Sequence, residues 1–124
     1  MANPHTSAFL TLVNDAKSRI KQVDLEGYRK LVAAGTPHVL VDTREDGEWA
    51  AGHAAGAIHL SKGIIERDIE KTVPDKNATL VLYCGGGFRS ALVADNLQKM
   101  GYANPISLDG GWRDWVGGGM PTEK

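Results

Sequence analysis

Hydrophobic residues recur at helical spacing in the first third of the chain. Residues 7–22 form an amphipathic pattern for which Ser7 is the candidate N-cap. Asp24 has the form of the N-cap of a second helix, which Gly35 ends. Because the first helix is apolar on one side, it can cover the sheet of its own chain or meet a partner, so the oligomeric state stays open.

Short apolar runs between the helical segments predict strands. Residues 38–42 and 78–83 are rich in β-branched and aliphatic side chains, as in strands covered on both faces, and 57–60 is a shorter strand. Residues 105–108 predict a last, edge-type strand. Further helices are predicted over 43–51, opened by a Thr43 and Asp46 capping box, over 63–71 and 88–100, and around Trp112 and Trp115. This alternation predicts an α/β domain with a mainly parallel central sheet and helices on both faces.

Length and charge narrow the classes of function. A chain of 124 residues with 42% hydrophobic content is the size of one domain. Its net charge of -1 provides no field to attract nucleic acid or an anionic membrane. The sequence has no apolar stretch long enough to span a membrane, and residues 1–10 lack the features of a secretory signal. We therefore expect a cytoplasmic protein with neither kind of partner.

The chain contains a single cysteine, Cys84. One cysteine excludes an intrachain disulfide and a four-cysteine zinc site, and it suits a reducing compartment. His53 and His59 lack a third metal ligand at a plausible spacing, so we expect neither a metal nor another cofactor. His53 more simply makes a buried hydrogen bond that fixes a turn.

Cys84 stands at the end of the strongest strand pattern, directly before three glycines, Gly85, Gly86 and Gly87. Successive glycines can turn their N–H groups inward to form an anion-binding nest, and the following helix adds its own free N–H groups. Arg89 adds a permanent positive charge. These groups would stabilise a thiolate and hold an anionic substrate, so the loop predicts a reactive cysteine.

A structural cysteine or a nucleotide-binding loop fits residues 84–90 less well. A buried structural cysteine gains nothing from three glycines and an arginine, although buried free cysteines are common. A nucleotide-binding P-loop needs spaced glycines and a Gly-Lys-Ser/Thr ending, which residues 84–90 lack.

The segment CGGGFRS, residues 84–90, resembles the active-site loop of the rhodanese-like sulfurtransferases. Residues 40–60, LVDTREDGEWAAGHAAGAIHL, are similar to the upstream signature of that family, and 108–121, LDGGWRDWVGGGMP, to its closing segment. The resemblance implies a three-layer rhodanese-like domain over residues 24–122, with a mainly parallel central sheet. Residues 1–23 would then be an N-terminal helical extension.

The resemblance also implies a chemistry. Cys84 would be the catalytic nucleophile and take sulfur from thiosulfate or another small anionic donor as a persulfide. A thiol, cyanide or a protein acceptor would then receive it. The loop residues Gly85, Gly86, Gly87, Phe88, Arg89 and Ser90 would bind the substrate.

Two alternatives stay open on the same scaffold. The chain could be a non-catalytic sulfur carrier or protein-interaction module, or a phosphatase or arsenate reductase. Related phosphatases and arsenate reductases have a longer loop, whereas four residues separate Cys84 from Arg89. The shorter loop favours sulfur transfer over phosphate chemistry.

Several polar and aromatic residues are interpreted mainly as structural. Asp42, Arg44 and Glu45 form a charged cluster at a strand end, in which Asp42 is expected to be a capping residue and Arg44 to pair with a nearby carboxylate. Lys62 is more simply a solvated lysine than a residue at the pocket mouth. Trp112 and Trp115 are expected to cover the edge of the core.

Overall fold

A computed structural model describes residues 5–124 of the chain. The first four residues of the predicted N-terminal extension, which also begin the segment without secretory features, lie outside the described residues. The helices are α1 (Ser7–Lys17), α2 (Leu25–Ala33), α3 (Asp46–Ala51), α4 (Ile65–Thr72), α5 (Arg89–Lys99) and α6 (Gly111–Gly117). The strands are β1 (Lys21–Val23), β2 (Val39–Asp42), β3 (His53–Ala54), β4 (Ile58–His59), β5 (Thr79–Tyr83), β6 (Asn104–Leu108) and β7 (Thr122–Glu123).

Five strands form a central sheet in the order β1-β6-β5-β2-β4, and every pairing in it is parallel. The strand that precedes Cys84, β5, lies in the middle of this sheet. A separate antiparallel pair joins β3 to β7. The predicted α/β fold with a parallel central sheet is confirmed.

Alternate residues of β5 enter two separate cores. Leu80 and Leu82 pack with apolar residues of α4 and α5 on one face, including Ile69. Val81 and Tyr83 pack on the other face with residues of α2 and α6. This alternation follows from the period of two along a strand, and it gives the predicted three layers.

The N-terminal helix α1 packs on the outer side of α5. Val13 and Ala16 on its inner side are buried, and Arg19, just beyond its end, hydrogen-bonds to both carboxylate oxygens of Asp95 on α5. This helix therefore packs mainly on α5 of its own chain, rather than on the sheet as one of the two predicted arrangements had it.

The bounds predicted for the first helix are wrong at both ends. Thr6, not Ser7, is the N-cap, since its hydroxyl accepts a hydrogen bond from the Phe9 N–H. The helix ends at Lys17, and Lys21–Val23 instead form β1 beside β6. The prediction of β6 as an edge strand is consequently also wrong, because β1 covers its outer side.

The predicted capping box at Thr43 and Asp46 is wrong. Helix α3 is capped by Glu45, whose N–H donates to Glu48 Oε1 at 3.1 Å. Thr43 is buried at the end of β2, and its hydroxyl donates to the Tyr83 carbonyl at 2.9 Å. The hydroxyl thus joins β2 to β5, and this tertiary contact overrides its local capping tendency.

The other predicted elements are found within two residues of their expected bounds, including the helix capped by Asp24, whose side chain accepts from the Gly27 N–H. None of the helices in residues 5–124 combines the length and the apolar character that a membrane crossing requires.

Candidate active site

Cys84 lies at the carboxyl end of β5, the edge of a parallel sheet where ligands bind. Its side chain is 1% exposed. Its Sγ accepts hydrogen bonds from the backbone N–H groups of Gly87 at 3.2 Å and Ser90 at 3.4 Å. Ser90 belongs to the first turn of α5, so the sulfur sits at the positive end of that helix.

Gly87 gives the loop the turn that brings its N–H to the sulfur. Its φ is 98°, in the left-handed region that favours glycine. A Cβ here would lie 3.2 Å from the Gly110 N and 3.3 Å from the Asp109 Cα, so it would also crowd the backbone of another loop.

The hydroxyl of Ser90 adds a third polar contact to the sulfur, at 3.5 Å from Sγ. The same hydroxyl shares a hydrogen bond of 2.8 Å with the hydroxyl of Ser107 on β6. Both serines are fully buried. Ser107 was missed from the sequence because nothing in its spacing links it to Cys84.

The start of α6 holds the other side of the loop. The Trp112 N–H donates to the Cys84 carbonyl at 2.8 Å, and the Arg113 N–H donates to the Gly85 carbonyl at 3.1 Å. Gly111 directly precedes them with a φ of 48°. These bonds fix the backbone on either side of the sulfur.

Arg89 makes a two-pronged ion pair with Glu48 of α3, at 2.8 Å and 3.1 Å. Its hydrogen bonds hold the pKa of Glu48 below its usual value, and the same bonds raise the pKa of Arg89. The pair therefore stays charged at neutral pH. Glu48 was not among the predicted site residues, because it lies far from the loop in the sequence.

A cavity of about 400 Å³ opens over the sulfur. Its lining residues are His5, Phe9, Cys84, Gly85, Gly86, Phe88, Arg89 and Arg113. Of the predicted loop residues, Gly87 and Ser90 are buried beneath this lining, where they contact Sγ instead. His5, Phe9 and Arg113 were missed because they come from distant parts of the chain.

Lys62 lies elsewhere. It lines a second cavity of about 210 Å³, between α1 and α5, together with Arg19 and Asp95. Its side chain is not part of the lining of the Cys84 cavity.

Asp42, the last residue of β2, and Arg44 form a buried structural cluster, as expected, whereas Glu45 is exposed and caps α3. Asp42 accepts from the Arg44 N–H at 2.8 Å and pairs with the Arg44 guanidinium. Although burial disfavours the charge of Arg44, the hydrogen bonds that its guanidinium donates to Asp42 raise its pKa. Asp42 also accepts from the Tyr83 hydroxyl at 2.8 Å, and burial raises the pKa of that phenol. The cluster thereby anchors the residue immediately before Cys84.

The histidines and tryptophans also have structural contacts. His53 is buried, and its Nδ1 hydrogen-bonds to the Trp49 carbonyl, which confirms the predicted buried bond. His53 and His59 both stack on Trp49. Within residues 5–124, no group of His, Cys, Asp or Glu side chains is arranged to hold a metal ion. Trp115 is buried in the core that Trp112 borders.

The fold and the site together define a class of α/β domain in which a parallel central sheet carries a cysteine and a glycine loop at the carboxyl end of its central strand. A sequence model of the rhodanese-like domain matches residues 24–117. The chain therefore belongs to the rhodanese-like domain family.

The chain is similar to several named proteins and solved structures. Thiosulfate sulfurtransferase GlpE of Pseudomonas entomophila is 35% identical over 98 residues, which cover 79% of this chain and 86% of GlpE. The Bacillus subtilis protein YrkF, a candidate sulfur carrier, is 28% identical over 100 residues, or 81% of this chain and 53% of YrkF. The chain thus spans about half the length of YrkF.

One similar solved structure is that of a Rhodopseudomonas palustris protein of unknown function, RPA3614, described as a possible tyrosine phosphatase. It is 27% identical, with a TM-score of 0.81 over 99% of both chains. This match extends through α1, which the family match over residues 24–117 leaves out.

Gly111→Ala tests the support that α6 gives to the loop. An added Cβ would overlap the Cys84 carbonyl oxygen and lie 3.0 Å from the Gly85 carbonyl carbon. The φ of Gly111 also lies in the left-handed region. We expect the free energy of unfolding, measured by urea denaturation, to fall by roughly 2–5 kcal/mol.

The matched control is Gly119→Ala, also at a left-handed φ but with nothing within 4 Å of an added Cβ. It should lose only about 1–2 kcal/mol. Equal losses in the two variants would show that the contact with the Cys84 backbone adds nothing.

Proposed function

We propose that the protein transfers sulfane sulfur through a persulfide on Cys84. The observation that carries this proposal is the position of Sγ, at the floor of a cavity and bonded to the Gly87 and Ser90 N–H groups. Donors aimed at a sulfur anion favour a thiolate before the reaction and a persulfide anion after it. The sulfurtransferase GlpE, which is similar over most of this chain, supports the same chemistry.

The loading step is a displacement at sulfur. The Cys84 thiolate attacks the outer sulfur of thiosulfate, a new S–S bond forms, and the bond between the two thiosulfate sulfurs breaks. The electron pair of that bond leaves with sulfite, and the negative charge of the thiolate moves to the terminal sulfur of the persulfide. Charge is conserved, and no external oxidant is needed.

The second step needs an acceptor from outside the chain. With one cysteine in the sequence, the persulfide cannot be resolved as an internal disulfide. A thiol, cyanide or a protein nucleophile attacks the terminal sulfur and leaves the Cys84 thiolate. Such exchange suits the reducing cytoplasm, which we propose as the place of action.

Two alternatives have some support. The description of RPA3614 favours phosphate chemistry, and the name of YrkF favours a carrier that holds sulfur without turnover. Against a phosphatase stand the four residues between Cys84 and Arg89, which leave less room for a tetrahedral phosphate than the longer phosphatase loop.

Incubation with thiosulfate followed by intact mass measurement tests the proposal. We expect wild-type protein to gain the mass of one sulfur atom, with release of one equivalent of sulfite. Cys84→Ser should gain nothing, because the nucleophile is lost. Cyanide should remove the added mass and form thiocyanate.

The same preparation distinguishes the alternatives. Hydrolysis of an aryl phosphate without a sulfur adduct would contradict the proposal and favour a phosphatase. A stable adduct that neither cyanide nor any small thiol discharges would favour the carrier.

Arg89→Ala tests whether the guanidinium helps the donor to bind and react. Removing a charged donor beside the reacting sulfur should lower the rate of persulfide formation by roughly 10- to 100-fold. The rate is measured by quenched-flow mass spectrometry. Arg67→Ala, at an exposed arginine on α4, makes the same charge change away from the cavity and should leave the rate unchanged.

The stranded carboxylate of Glu48 is a second cause of slow loading in Arg89→Ala. The double variant Glu48→Gln, Arg89→Ala removes that carboxylate charge. If the slow rate persists in it, the guanidinium itself acts on the donor. Full recovery would mean that Arg89 serves only to neutralise Glu48.

A further inference from the structure

Residues that precede the family match line one side of the Cys84 cavity. His5 lies just before α1 and Phe9 lies in its first turn. The His5 ring centre is 4.4 Å from that of Phe88 and 5.2 Å from that of Phe9, and the Phe9 and Phe88 centres are 6.4 Å apart. These three rings, here called the aromatic wall, form a continuous surface beside the sulfur.

The aromatic wall is held in register with the cysteine loop. Phe88 caps α5, and α1 is fixed along the same helix by the buried Val13 and by the ion pair of Arg19 with Asp95. Lys17 of α1 places its Nζ 5.1 Å from the centre of the Phe88 ring, within cation–π distance. Helix α5 thus supports the aromatic wall and also carries the Ser90 N–H that bonds to the sulfur.

The polar part of the lining carries positive charge. Arg89 and Arg113 both reach the cavity, and Arg113 is 71% exposed and pairs with the neighbouring carboxylate of Asp114. A cavity of about 400 Å³ falls in the range that encloses small organic ligands, well above the space that a single thiosulfate fills. Flat rings beside guanidinium groups complement an anion that also carries an apolar group.

We propose that His5 and Phe9 are specificity-determining residues of the Cys84 site, and that the aromatic wall selects anionic organic sulfur donors that carry a flat apolar group. This inference rests on the proposed sulfur transfer. In a thiosulfonate, for example, the thiolate attacks the outer sulfur, the S–S bond to the sulfonyl group breaks, and the electron pair leaves with the sulfinate. The sulfonyl oxygens face the arginines, and the organic group packs on the wall.

The test compares benzenethiosulfonate with methanethiosulfonate, two monoanions that share the reacting group and differ in the apolar group. The second-order rate of Cys84 persulfide formation is measured by rapid quench and mass spectrometry under single-turnover conditions. The ratio of the two rates should fall roughly threefold to tenfold in His5→Ala and in Phe9→Leu. Comparing ratios between variants cancels the intrinsic reactivity of the two donors.

Leu12→Ala is the matched control, because Leu12 is an exposed apolar residue of the same helix outside the lining of this cavity. It should keep the wild-type ratio. His5 is exposed and lies outside α1, so His5→Ala leaves the buried contacts of the helix in place. Phe9→Leu keeps an apolar side chain against α5 and removes only the ring.

The outcomes separate this inference from the proposed function. If neither of these donors nor thiosulfate loads Cys84, the proposed function itself fails; if thiosulfate alone loads it, sulfur transfer stands and the role of the wall is overturned. If both load and the ratio is the same in wild type, His5→Ala and Phe9→Leu, sulfur transfer stands and the role of the wall is overturned. Selectivity that appears only when the acceptor is varied would also overturn it, since the wall would then serve the second step.

Discussion

The hydrogen bonds that the loop and the first turn of α5 donate to the Cys84 sulfur are the interaction on which the site depends. They require a strand end, a tight glycine loop and a helix start to meet at one atom. The central position of β5 fixes the strand end, and the left-handed Gly87 turns its own N–H onto the sulfur. The rest of the fold keeps these parts in place.

The backbone that carries the Cys84 sulfur is held in place from two sides. On one side, Asp42 accepts hydrogen bonds from both Arg44 and the hydroxyl of Tyr83, so the residue before Cys84 cannot shift without breaking its hydrogen bond to a buried charged pair. On the other, amides of α6 hold the carbonyls of Cys84 and Gly85. Such preorganisation matters because donors already in position need no rearrangement when charge moves from one sulfur to the next.

The parts of the site that are close together in the sequence could be predicted from it. The strand, the glycine loop and the helix around Cys84 are contiguous, so periodicity and turn chemistry were enough to find them. The partners of the site are not contiguous: Glu48 meets Arg89, and His5, Phe9 and Arg113 enter the cavity, only after the sheet has formed. Strand β1 was not predicted for a related reason. Its three residues carry too little pattern, and its place is set by pairing with β6.

The central claim is that Cys84 carries the outer sulfur of its donor as a persulfide. Thiosulfate labelled with a sulfur isotope at either the outer or the inner position tests it most directly. After the loading step, run without an acceptor, and digestion, the outer label should be retained on the peptide that contains Cys84, and dithiothreitol should release it as sulfide. Retention of the inner label, or label on any other peptide, would contradict this claim.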